Sequence, residues 1–163
     1  MTERDVADAL RALSVHGCRF WIAGGWGVDA LVGVRTREHR DLDLAIDAAC
    51  EADALRALHE LDYEVETDWR PARVELAADG GRWVDLHPMH FDARGHGRQP
   101  DGRGGHFQYP ADCFTTSRIG DSAVPCLSVR QQLSFREGYD LRDVDRHDIA
   151  LLRSIESRGR EGR

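Results

Sequence analysis

The chain contains no lysine and no asparagine, and all 22 of its basic side chains other than histidine are arginine. A Walker-type phosphate loop, a kinase-type phosphate-binding lysine and a Schiff-base enzyme each need a lysine amine, so those mechanisms are excluded. Any side-chain contact to phosphate has to come from arginine or histidine. Cysteine is sparse too. Cys18, Cys50, Cys113 and Cys126 are scattered with no Cys-x-x-Cys spacing, which fits reduced core thiols better than zinc ligands or a disulfide framework. No apolar run approaches bilayer length and no leader pattern is visible, which sets the expectation of a soluble cytoplasmic protein with no membrane partner. There is also no basic excess. A formal net charge of -7 argues against nucleic acid as a partner and favours small cationic ones.

What is present fits one ordinary domain of 163 residues with a real core. Thr2 caps an expected helix carrying Val6, Ala9, Leu10 and Leu13, ended by Gly17. A strand over 19–23 leads through Gly24-Gly25 into a helix over 26–32, and a second strand covers 41–46. Leu55, Leu58 and Leu61 mark a further helix, and 63–67 reads as a short strand. The segments 73–78 and 82–87 form a hairpin around Asp79-Gly80-Gly81. Residues 92–106, rich in glycine, arginine and histidine, read as a mobile surface loop. A second hairpin spans 115–126, Ser128 and Gln131 suggest a capping box for a helix reaching 137, and a last helix covers 143–155 before a frayed tail.

Chemistry concentrates in three aspartates. Alternation along Asp41-Leu42-Asp43-Leu44 puts both carboxylates on one strand face, where they can converge on a cation. Like charges this close are destabilising unless something positive lies between them. Asp85 lies between Val84 and Leu86, so Trp83, Asp85 and His87 share the face opposite the core. It is a surface residue, a metal ligand or a general base, and the pattern leaves these open. Gly24-Gly25 at a helix start can expose backbone N–H groups to phosphate oxygens. Arg37 and His39 are candidates to neutralise a phosphate tail or are simply an exposed polar loop. His87, His90, His96 and His106 are spaced too irregularly to fit zinc well.

The pattern Gly24-Gly25-Trp26, Asp41-x-Asp43 and a lone Asp85 between apolar residues resembles the polymerase-beta-like nucleotidyltransferases. The segments Thr36-Arg37-x-His39-x-Asp41, 84–88, 109–110, 124–128 and 138–148 resemble its short lincosamide branch, with aminoglycoside 2''-nucleotidyltransferases as cousins. The resemblance runs from about residue 20 to 155 and departs from the wider superfamily in having Gly24-Gly25 where Gly-Ser is usual. It implies an α+β nucleotidyltransferase fold: a mixed sheet flanked by helices, with a core over 1–90 and a C-terminal extension over 91–163. It further implies Mg²⁺ held by Asp41 and Asp43, with Asp85 completing the triad as the base or as a third metal ligand. The reaction implied moves a nucleoside monophosphate from a nucleoside triphosphate onto a hydroxyl of a small antibiotic, most closely a lincosamide, and releases pyrophosphate. An aminoglycoside, a biosynthetic metabolite or a protein hydroxyl as acceptor, or an inactive nucleotide-binding homologue, are the alternatives, and a homodimer is compatible with the small size.

Overall fold

The computed structural model describes residues 1–161, with side chains through residue 158. Nine strands form one sheet: β1 (Phe20–Ile22), β2 (Asp41–Asp47), β3 (Glu64–Trp69), β4 (Arg73–Ala78), β5 (Arg82–Phe91), β6 (Gly97–Pro100), β7 (His106–Tyr109), β8 (Phe114–Ile119) and β9 (Ser122–Leu127). The main path runs β3-β4-β5-β2-β1-β9-β8, with β6 on β5 and β7 on β6. The pairs β2·β5 and β1·β9 are parallel and the other pairs are antiparallel, so the sheet is mixed as the resemblance implied. Five helices flank it: α1 (Glu3–Val15), α2 (Gly24–Val32), α3 (Glu51–His59), α4 (Val129–Ser134) and α5 (Asp143–Glu161). Strands from after residue 91 join the same sheet as those before it. No helix among the described residues is long and apolar enough to cross a membrane.

Period-two alternation gives the sheet two different faces. Phe20 and Ile22, Leu42, Leu44 and Ile46, Val74 and Leu76, and Val84 and Leu86 turn to one side and pack with α1, α3 and Trp26 as the main core. The opposite side holds a smaller cluster of Ala23, Ala45, Met89, Tyr109, Cys113 and Leu127, with Trp21, Phe91 and Phe114 packed against it. Asp41 and Asp43 precede Ala45 on this second side.

The expected loop at 92–106 is instead interrupted by a β6–β7 hairpin. Gly97 is needed there for close approach, since a Cβ would lie 2.9 Å from Met89 Sδ and 3.2 Å from Tyr109 Cβ. Gln99 is buried and its amide is fully hydrogen-bonded, which composition cannot reveal. The expected Ser128 capping box is half formed. Ser128 accepts from Gln131 N at 3.4 Å, but the Gln131 side chain donates to Gln108 O at 3.0 Å, and the helix ends at Ser134. The last helix continues to Glu161 where fraying was expected, and the end of that tail, 162–163, lies outside the described residues.

Candidate active site

Register brings the acids together. On the parallel β2·β5 pair Asp43 stands opposite Asp85 and Asp41 opposite Trp83, and on β4 Glu75 stands opposite Asp85. One ligand atom from each of Asp43, Asp85 and His87 falls within 4.8 Å of the others. Asp41 stands at the rim, with its carboxylate 3.7 Å from Arg40 Nε.

The electrostatics are those of crowded negative charge. Burial pushes the Asp85 carboxyl up to about 6 and Asp43 adds to the rise, against the opposing pull of His87 and Arg73. That holds even though Arg73 Nη1 lies 2.7 Å from Asp85 Oδ2: the ion pair is real, but desolvation outweighs it. Partial burial and the Asp43 charge likewise push Asp41 upward. Burial would also raise Asp43, but the hydrogen bond from His87 and the charges of His87, Arg136 and Arg73 bring it below the usual range. Burial depresses the His87 imidazole, and Asp43 and Asp85 more than offset that. Asp85 Oδ1 is buried with no hydrogen-bond partner. Closely placed hard carboxylate oxygens, one of them with an orphaned lone pair, are the donor set a divalent ion such as Mg²⁺ takes.

α2 begins directly beside these acids. Its N-cap, Ala23, supplies no side-chain hydrogen bond, and Gly24 has φ 56, so the first turn presents backbone N–H groups without a side-chain cap. A Cβ at Gly24 would collide with Asp43 Oδ2, which explains glycine here. At Gly25 a Cβ would collide with His39 Nδ1 and Arg37 Nη2, so those two side chains lie beneath the first turn of α2. Both are engaged by protein. His39 Nε2 is 2.5 Å from Asp29 Oδ2 in a buried pair, and Arg37 forks onto Asp148 through Nε and Nη2, each at 3.0 Å. Burial alone would raise the Asp29 carboxyl, but hydrogen bonds from His39 and Thr36 hold it low.

A cavity of about 280 Å³ opens between Gly24, Asp43 and His87 on one side and the C-terminal helices on the other. Phe107, Tyr109, Phe135 and Tyr139 supply aromatic surface, and Arg136, Arg142 and Asp145 supply charge. Arg136 also donates to Asp148 at 2.8 Å, so one carboxylate joins Arg37, α4's end and α5. Neither Arg37 nor His39 borders this cavity, whereas Arg136, not singled out in the sequence, does. No spacing signal leads to Arg136, Phe135 or Gln99, because each reaches the cavity through tertiary folding. The resembling segments 109–110 and 138–148 hold Tyr109, Tyr139, Arg142 and Asp145 of the cavity but none of these three. Val124, Cys126 and Leu127, within another resembling segment, are buried core of β9 instead of cavity wall.

With this geometry in place, comparison with known proteins is informative. The family model for aminoglycoside-2''-adenylyltransferases matches residues 5–152. A lincosamide resistance protein of Staphylococcus haemolyticus is 35% identical over 155 residues, covering 95% of this chain and 96% of that protein. The crystal structure of the lincosamide antibiotic adenylyltransferase LnuA, lincomycin-bound, is similar with a TM-score of 0.86 at 35% identity, over 95% of this chain and 98% of that one. The crystal structure of ANT(2'')-Ia in complex with adenylyl-2''-tobramycin shares the fold, with a TM-score of 0.73 at 17% identity over 96% and 94% of the two chains. The match over most of the chain, on a mixed sheet that sets Asp43 against Asp85, means that this protein belongs to the aminoglycoside-2''-adenylyltransferase family of nucleotidyltransferases.

Proposed function

We propose that the chain transfers a nucleoside monophosphate from a nucleoside triphosphate to a hydroxyl of a lincosamide, with release of pyrophosphate. The observation that carries this reading is the pairing of Asp43 with Asp85 at the edge of a partly aromatic cavity, in a chain 35% identical to lincomycin-bound LnuA over nearly its full length. In this reading Asp41 and Asp43 hold Mg²⁺, which when bound supplies positive charge at the phosphoryl group being transferred. Asp85 takes the proton of the drug hydroxyl as it attacks. Gly24 and Gly25 offer the N–H groups of the α2 start to phosphate oxygens. Arg136 adds a cationic edge that Arg37 supports from behind through Asp148. The aromatic surface of Phe107, Tyr109 and Phe135 suits a compact amino-sugar drug with an alkyl tail, and the surrounding acids suit its basic nitrogen.

An aminoglycoside acceptor is the second reading. It is favoured by the net negative charge, which attracts a multiply charged cation more strongly, and by the family's own description. The test is incubation with Mg²⁺ and each of the four ribonucleoside triphosphates, against lincomycin, clindamycin and a set of aminoglycosides, followed by mass spectrometry. A nucleotidylated lincosamide is the expected product. Modification of an aminoglycoside or another hydroxyl compound, with both lincosamides untouched, overturns the assignment.

A further inference from the structure

Gln99 lies on β6 and is 5% exposed. Its Nε2 donates to the Ala72 carbonyl at 2.9 Å and lies 3.1 Å from His87 Nδ1, while its Oε1 accepts from the Tyr109 hydroxyl. A backbone carbonyl can only accept. An amide turned by half a rotation would set two acceptors against each other at Ala72, so the chemistry of the partners settles its orientation. The second N–H of the amide then points at His87 Nδ1. A ring nitrogen that receives a hydrogen bond carries no proton, which leaves the imidazole proton on Nε2. That nitrogen is 3.4 Å from Asp43 Oδ1 and 3.8 Å from Asp85 Oδ2.

We propose that Gln99 is a positioning residue that holds His87 as the Nε2–H tautomer, so that His87 acts as a hydrogen-bond donor between Asp43 and Asp85 and not as a third metal ligand. The kinetic consequence and the metal site rest on the nucleotidyl-transfer reading above, and the tautomer does not. A ligating nitrogen needs a free lone pair, and with its proton in place Nε2 has none. A proton on Nδ1 would meet the Gln99 N–H head on. Ala72 therefore acts on the acids at two removes. Its carbonyl orients the amide, the amide selects the tautomer, and the tautomer decides what His87 offers.

Nitrogen-15 NMR of the labelled wild-type protein at alkaline pH reads the tautomer directly, with His87 assigned by comparison with His87→Gln. The expected spectrum has an unprotonated Nδ1 and a protonated Nε2, and Tyr109→Phe leaves that pattern in place. Gln99→Glu replaces the donor by an acceptor and puts a proton on Nδ1. The transfer rate is then expected to fall about 10–100-fold with the KM for nucleotide little changed, as for other groups that orient a site from behind. An unprotonated Nε2 in the wild-type protein overturns the proposal without any variant having to fold. A Gln99→Glu protein with the wild-type tautomer and rate overturns it as well. The NMR measurement needs no substrate, so failure to modify any lincosamide refutes the proposed acceptor while leaving the tautomer result to stand on its own.

Discussion

Asp43 and Asp85 face each other across one strand pair, yet substitution should separate them. Charge supplied at the phosphoryl group contributes several kcal/mol, and each 1.36 kcal/mol is tenfold in rate, so Asp43→Asn is expected to lose about 10³-fold or more in turnover. Its melting temperature should change little, because the charge that His87, Arg136 and Arg73 face is lost while a like charge beside Asp85 is removed. Near wild-type turnover in that variant, or in excess EDTA, would sink the metal assignment. Asp85→Asn is expected to keep its affinity for nucleotide with Mg²⁺ and to transfer about 10²–10⁴-fold more slowly, the usual cost of a lost general base. Loss of nucleotide affinity would instead make Asp85 chiefly a ligand. Gly24→Ala tests the start of α2. At φ 56 a side chain is strained by roughly 1–2 kcal/mol, and its Cβ displaces Asp43 Oδ2. We expect a modest drop in stability by chemical denaturation together with loss of transfer; unchanged activity would mean Asp43 need not sit where it does. Gly25→Val, which the sequence alone suggests would block phosphate approach, collides with His39 and Arg37 and so reports on packing.

Among the elements, α5 begins on an unusual cap. The Asp145 carboxylate accepts from Arg142 N at 2.9 Å and from the Arg142 guanidinium at 2.9 and 3.0 Å. Those bonds hold the Asp145 carboxyl at about 2, below its unfolded value of about 3.9. A carboxyl lowered by folding stabilises above its unfolded pKa and loses that contribution as pH falls through the folded one. Asp145→Ala is therefore expected to cost about 1 kcal/mol at neutral pH, from a lost cap and helix-dipole partner. The gap to wild type should narrow between about pH 4 and pH 2. Urea midpoints for the two proteins at pH 7 and pH 3 check this, and an undiminished gap at pH 3 counts against the cap. Elements that announce themselves locally were legible. The β4–β5 hairpin carries its Gly80-Gly81 turn in the chain, and Thr2 forms the expected cap on Asp5 N at 3.2 Å. The β6–β7 hairpin was not legible, because Gly97 and Gln99 look like loop residues until Met89, Tyr109, Ala72 and His87 close around them.

For the molecule as a whole, an acidic site built into the sheet should make stability depend on the ion that fills it. A ligand that binds only the folded state stabilises it by about 2.7 kcal/mol at 100 times its Kd. Mg²⁺ is thus expected to raise the melting temperature of the wild-type protein, and the rise should vanish in Asp43→Asn. An equal rise in both would place the bound ion elsewhere. Strand alternation by itself determined that Asp41 and Asp43 share a face and that Val84 and Leu86 turn inward, because side-chain direction in a strand follows from sequence period alone. The exclusion of lysine chemistry was equally a property of composition. Which strands become neighbours is a different matter, since residues about forty positions apart meet only through parallel pairing of β2 with β5. That pairing put Asp85 opposite Asp43 and left Asp41 at the rim. Likewise, only tertiary packing assigned Arg37 to Asp148, gave the cavity Arg136, and put a buried amide behind His87. Local pattern sets the direction of a side chain, whereas its partner is set by the long-range contacts that bury it.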